Sequence, residues 1–162
     1  MKSVALLGRI LFSAIFIESA IGHFNAQTAA YAAGNGVPMS EVLVPFSGIL
    51  ALIGGISILF GYKARWGAWM LVAFLVPVTL MMHDFWNMTD PQASMNRIMF
   101  MKNISMLGGA LLIAYFGAGP FSVDHSRLVS SSVKEVKETM WRPPMQPNGV
   151  RKEPERKTAG IF

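Results

Sequence analysis

Cysteine is missing from this chain, and charge is scarce: only 14% of its 162 residues are Asp, Glu, Lys or Arg. Without a thiol there is no disulfide, no Cys-ligated zinc or iron–sulfur cluster, no haem tethered through Cys-x-x-Cys-His, and no thiol catalysis. A soluble domain carries roughly 25% charged residues, so much of the usual solvating charge is lacking. Also absent are a Walker-type glycine loop, a Ser-His-Asp order, an HExxH pair, an EF-hand loop and a Rossmann fingerprint. What the chain has instead is apolar surface: 52% of it is hydrophobic, with a mean hydropathy of +0.42. The net charge of +5 would suit nucleic acid, but eight of the fourteen Lys and Arg residues follow Gly117 and the apolar runs are nearly uncharged. That distribution excludes a nucleic-acid surface and points to a membrane.

About 20 mostly apolar residues cross the ~30 Å hydrocarbon layer as a helix. Four segments qualify: Val4–Gly22, Val42–Gly61, Trp66–Met82 (extending through His83 to Trp86) and Ile98–Gly117. They lack alternation and are rich in Leu, Ala, Met and Gly, so they read as helices rather than barrel strands. The fold class expected is all-α, a four-helix transmembrane bundle. The first run is not a cleaved leader: Arg9 interrupts it and Glu18-Ser19-Ala20 is a poor cleavage site.

Short-loop charge sets the orientation. The first connection, His23–Glu41, has no Lys or Arg, whereas the second, Tyr62–Arg65, carries Lys63 and Arg65. The positive-inside rule then puts both termini and the second loop in the cytoplasm, with Trp66 and Trp69 at the inner interface and Trp86 at the outer one. So short a second loop makes spans two and three antiparallel neighbours. Small residues suited to close helix packing recur at four-residue spacing: Ser47, Ala51 and Gly55 in span two, Ser105 and Gly109 in span four. Pro45 is tolerated in a first turn, while Pro77 should kink span three.

Residues 1–124 read as the membrane domain and 125–162 as a basic cytoplasmic tail. From Arg127 to Trp141, Val129, Val133, Val136 and Met140 repeat at helical spacing between Lys and Glu residues. That is an amphipathic helix, to lie on anionic lipid or dock on a partner. Arg142–Phe162 is rich in Pro, Lys, Arg and Glu and should be extended or disordered alone. The partners expected are the lipid bilayer and other membrane-protein subunits.

A charge in the hydrocarbon costs at least ~2.5–3.5 kcal/mol near its centre, so the few polar residues in the spans invite a functional question. Apart from Arg9, they gather toward the outer leaflet: Glu18, His23, His83, Asp84, Arg97, Lys102 and Asn103. Three readings are open. Arg97 and Lys102 could snorkel to headgroups while Glu18 pairs with Lys102, with no ligand at all. Alternatively Glu18, His23, His83, Asp84, Lys102 and Asn103, with Trp86 as a stacking wall, could bind a polar-headed lipophile such as a quinone. In that case Glu18, His23 and His83 would move protons and Lys102 and Asn103 would hold a carbonyl. Lastly, His23 and His83 could be axial ligands of haem b, although the spacing does not demand it and no third metal ligand lies one turn away. Arg9 lies about 180° from Glu18 around an ideal helix, so the two do not pair. It should face span two or four, or snorkel inward. Spans one and three both close with His, an aromatic and Asn: His23-Phe24-Asn25 and His83-Asp84-Phe85-Trp86-Asn87.

Several short motifs carry a family resemblance: Gly8-Arg9-Ile10-Leu11, Gly54-Gly55, His83-Asp84-Phe85-Trp86, Met101 through Gly109, and Phe116-Gly117-Ala118-Gly119-Pro120 with Ser122 and Asp124. Over roughly residues 4–124 the chain resembles the DoxX family of small bacterial membrane proteins. The resemblance implies a four-helix inner-membrane protein, possible membership of a quinone-linked redox or respiratory assembly, and motif positions at Arg9, His83, Trp86, Lys102 and Asn103. A chain without Cys cannot itself carry sulfur on a thiol. The function expected is quinone-linked chemistry at the outer-leaflet pocket or, alternatively, a non-catalytic accessory role that docks through the helices and basic tail.

Overall fold

Apolar runs that cannot alternate must satisfy their backbone internally, and in lipid that means helices. A computed structural model describes residues 2–140, and these are helical throughout apart from the connections. In chain order the helices are α1 (Lys2–Gly22), α2 (Ala26–Gly34), α3 (Ser40–Phe60), α4 (Ala64–Met82), α5 (Gln92–Phe116) and α6 (Val123–Met140). A single 3-10 turn, Phe85–Asn87, follows α4. Four helical segments are long and apolar enough to cross a membrane: Ser3–Gly22, Ser40–Phe60, Ala64–Asn87 and Gln92–Phe116. By its contacts the chain divides into residues 1–126 and 127–162. The extended segment expected over Arg142–Phe162, and Trp141 before it, lie outside the described residues.

Within the first unit α3 packs on both α1 and α4, and α4 packs on α5. The interior mixes alanines with larger aliphatic and aromatic side chains: Phe16, Ala20, Ala51, Ile58, Ala68, Leu71, Phe74, Leu75 and Ala110. Alanine and glycine at these positions let backbones approach, which is how helices associate in lipid. Gly54 faces the Gly67 carbonyl and Leu71 of α4, Gly55 faces Phe16 and Ile17 of α1, and Gly109 receives the Phe12 ring. Ser105 faces outward instead, and its hydroxyl donates to the Met101 carbonyl. Large apolar side chains such as Ile21, Trp66, Tyr115 and Phe116 stand exposed on the outside of the bundle, where lipid rather than water is the solvent.

Two connections differ from expectation. The first carries α2, which hydropathy alone hides because nine residues cannot span. Asn25 starts it, its Oδ1 accepting from the Gln27 N–H at 2.9 Å, and Ala29 and Ala32 pack on Val44 of α3. The second difference is that α5 begins at Gln92 rather than Ile98. Hydropathy marks where a helix turns apolar, whereas its polar first turns continue past that boundary.

At the end of the bundle holding the α3–α4 turn, three chain segments are clamped together. Arg9 is 5% exposed, and its guanidinium donates to the Ala118 carbonyl at 3.1 Å and the Phe121 carbonyl at 2.6 Å. It therefore sits beside Gly61, at the end of span two, and bonds to the segment after α5. Asp124 accepts from the Lys63 and Ala64 N–H groups at 2.8 and 3.0 Å, capping α4, while its own N–H donates to the Gly61 carbonyl. Gly61 is required there: its φ is +64°, and a β-carbon would stand 2.5 Å from Arg9 Nη1.

Candidate functional site: two clefts sharing a pair of histidines

The opposite end of the bundle is built differently. Helix α1 ends at Gly22 and α4 at Met82, so His23 and His83 follow the last helical turns of two helices whose inward residues line the same space. His23 Nδ1–H donates to the Ser19 carbonyl at 2.8 Å. A carbonyl can only accept, so Nδ1 carries a proton, and in the neutral tautomer that this selects the lone pair is on Nε2. His83 reaches the same state by another route. Its Nδ1 lies 3.1 Å from Asn96 Oδ1, and the Asn96 amide nitrogen is directed at Met88 Sδ and the Gln92 carbonyl. The Asn96 oxygen therefore faces the ring and accepts from it. Both imidazoles hold Nδ1 to protein and leave Nε2 without a hydrogen-bond partner among the described residues.

These two rings border two clefts. The larger, about 420 Å³, lies among α2, α3 and α4 and is apolar, with walls that include Tyr31, Val44, Phe46, Leu50, Pro77 and Met81. The smaller, about 170 Å³, lies among α1, α4 and α5. His23, Phe74, Val78 and His83 belong to the walls of both, and the His23 and Phe74 rings meet edge to face at 5.5 Å. The smaller cleft adds Ser19, Lys102 and Asn103 to walls of Ile15, Phe16, Leu75 and Met106. Asn103 is 5% exposed, yet its amide makes no hydrogen bond among the described residues. The Lys102 ammonium rests on Met99 Sδ at 3.4 Å, a weak acceptor. Facing donors and facing acceptors are thus present together, set in apolar walls.

Of the residues singled out by sequence, His23, His83, Lys102 and Asn103 come together in the smaller cleft. Glu18 lies on the exposed outer face of α1 and forms no ion pair with Lys102 among the described residues. Asp84 accepts from Asn87 Nδ2 at 3.0 Å inside the 3-10 turn. Trp86 is exposed and meets Phe85 and Phe100 edge to face at 5.2 and 5.9 Å, outside both clefts. Arg97 is exposed. Sequence reasoning passed over Phe74, which joins the two clefts, Asn96, which orients His83, and Ser19, whose carbonyl orients His23. No spacing rule pairs position 83 with position 96 across a connection; the His-aromatic-Asn endings were the nearest signal. For metal binding, no group of three His, Asp or Glu gathers among the described residues.

The SURF4 family model matches residues 36–128, from the connection before α3 to the first turns of α6. Inner membrane protein YqjF of Escherichia coli is 34% identical over 121 residues, 74% of this chain and 88% of that protein. Inner membrane protein YphA of the same organism is 30% identical over 97 residues, 60% of this chain and 69% of its own length. ER-derived vesicles protein ERV29 of Saccharomyces cerevisiae is 30% identical over 84 residues, 52% of this chain and 27% of that protein. No solved structure matches. The family match corrects the resemblance to DoxX. The motifs behind that resemblance are short runs of small residues for helix packing and His or aromatic residues at a membrane boundary, which any four-span bundle needs. With four spanning helices and these relatives, the chain is a multi-pass inner-membrane protein.

Proposed function

The chain belongs to the SURF4 family, and from that premise we propose that it binds a membrane-soluble amphiphile, polar head in the smaller cleft and apolar part along the larger. The observation that carries this reading is that the Asn103 amide, which makes no hydrogen bond among the described residues, lines the same cleft as two histidines whose Nε2 atoms have no hydrogen-bond partner among those residues. Polar groups that open into one cleft without a protein partner suit a bound molecule. The head that fits carries both an acceptor, for the Lys102 ammonium and the Asn103 amide, and a hydroxyl or amine donor for an imidazole Nε2. A quinone and its reduced form have those groups, with carbonyls to accept and hydroxyls to donate.

The test is gentle extraction followed by native mass spectrometry of the intact chain. The wild type should retain a lipophile of defined mass, and Asn103→Leu should lose it. A wild type carrying only heterogeneous bulk phospholipid, or a variant with the same adduct, overturns the reading.

A second reading makes the chain an accessory subunit of a larger membrane complex. It is favoured by the outward face of α5, where Ser105 and Gly108 are both exposed and Gly108 has open space beside it. Small residues on a lipid-facing surface admit a further helix. Stoichiometric recovery with another membrane protein, lost in Gly108→Leu, would establish it.

A further inference from the structure

Helix α6 carries an apolar stripe that no described residue of its own unit covers. Val129, Val133, Val136 and Met140 are all exposed. At about 100° per residue they fall within about 60° of one another around the helix. The charged residues are not spread evenly over the remainder. Lys137, Lys134 and Arg127 follow one another on a single flank, at roughly 65–145° from the stripe's centre, with Glu138 and Glu135 beyond them. The other flank holds Ser132, Thr139 and, farther round, the exposed Leu128. The helix thus has a narrow apolar edge beside a cationic flank, which is the pattern of a helix lying in a headgroup layer rather than a face made for a protein groove.

The place where α6 starts supports the same occupant. Asp124, in its first turn, caps α4 through Lys63 and Ala64, and Ser122 accepts the His125 N–H at 3.1 Å. Its first residues are therefore pinned beside the turn between two spans, at the height where hydrocarbon gives way to headgroups. That turn adds two more cations, Lys63 and Arg65, both exposed. After Asp124 the sequence carries eight Lys and Arg against four Glu, an excess that anionic lipid would balance at about 1 kcal/mol per basic residue near the surface.

We infer that α6 is an interfacial helix: its Val129–Met140 stripe enters the acyl boundary of the leaflet beside the α3–α4 turn, and its Lys134–Lys137 flank takes anionic headgroups. This stands independently of what the histidine clefts bind.

Because the chain has no Cys, a single introduced thiol reports one position. The full chain, as Val136→Cys or Ser131→Cys with a spin label, is placed in nanodiscs of phosphatidylcholine alone or with phosphatidylglycerol. In the mixed discs the label at 136 should be several-fold more accessible to oxygen than to a water-soluble nickel complex, and the label at 131 the reverse. Lys134→Gln with Lys137→Gln should remove the dependence on phosphatidylglycerol. Equal aqueous accessibility at 131 and 136 overturns the inference. So does shielding of 136 from both reagents, which is the signature of a protein partner.

Discussion

His23 stands directly over Gly48: a β-carbon added to that glycine would come within 2.6 Å of His23 Cβ and 3.3 Å of the Ala20 carbonyl oxygen. The close approach fixes the end of α1 against α3 and so places a ring that borders both clefts.

Gly48→Ala should therefore act on the site through His23. The added methyl cannot be absorbed by a flexible tip, because the nearest atoms are a β-carbon and a backbone carbonyl. Overpacking of this kind costs about 1–3 kcal/mol. Thermal unfolding in detergent should show that loss, and ligand retention by native mass spectrometry should fall with it. Gly108→Ala is the control. It has nothing within 4 Å of the new β-carbon and should be neutral, or stabilising by up to about 1 kcal/mol from helix propensity.

Asp124 serves the other end of the bundle. Its carboxylate caps two α4 N–H groups, and Asp124→Ala should cost about 0.5–2 kcal/mol, with Asp124→Asn recovering part. The lowered unfolding temperature should leave ligand retention unchanged, since the cap lies at the opposite membrane boundary from the clefts. If Asp124→Ala emptied the clefts while the protein stayed folded, the separation of the two ends would be wrong.

Arg9 gives a harsher result by similar logic. Arg9→Met removes the donor to the Ala118 and Phe121 carbonyls, each orphaned acceptor costing about 1–3 kcal/mol. The segment after α5 should loosen, so trypsin should cleave after Arg127 faster than in the wild type. Arg9→Lys should restore only part, because one ammonium lacks the planar fork that serves both carbonyls.

The spans were legible in the sequence because hydrophobic length is a one-dimensional property and lipid leaves few alternatives to helices. Clustering of His23, His83, Lys102 and Asn103 was legible too, since each lies near a span end whose side of the membrane follows from counting. Which way each side chain points was not. Glu18 shares that height on α1 but faces outward, because rotation about a helix that is apolar on every side leaves no polar stripe to read. Trp86 likewise sits beside His83 in sequence but joins Phe85 and Phe100 instead, since the chain leaves α4 for a 3-10 turn between them. The hydrogen-bond partners of Arg9 were not legible, because they are backbone carbonyls more than a hundred residues away, and carbonyls leave no mark on sequence.

Asn103 and Asn96 separate a structural role from a binding one. If the Asn103 amide serves only the fold, replacing it should weaken the protein; yet it makes no hydrogen bond among the described residues. Asn103→Leu keeps the volume and removes an unpaired amide, so stability should hold or rise by about 1 kcal/mol. Affinity for an added short-chain hydroquinone or other candidate amphiphile should fall at least about tenfold, the loss expected when a buried donor to the ligand goes. Asn96→Leu acts at one remove. It takes away the acceptor that holds the His83 proton on Nδ1, so the ring is free to protonate Nε2 and turn its acceptor away from the cleft. Binding of a donor-bearing head should weaken, while binding of an analogue whose hydroxyls are methylated should change little, because that analogue never donated to Nε2. Equal losses for both molecules would mean that Asn96 shapes the cleft rather than setting the tautomer of His83.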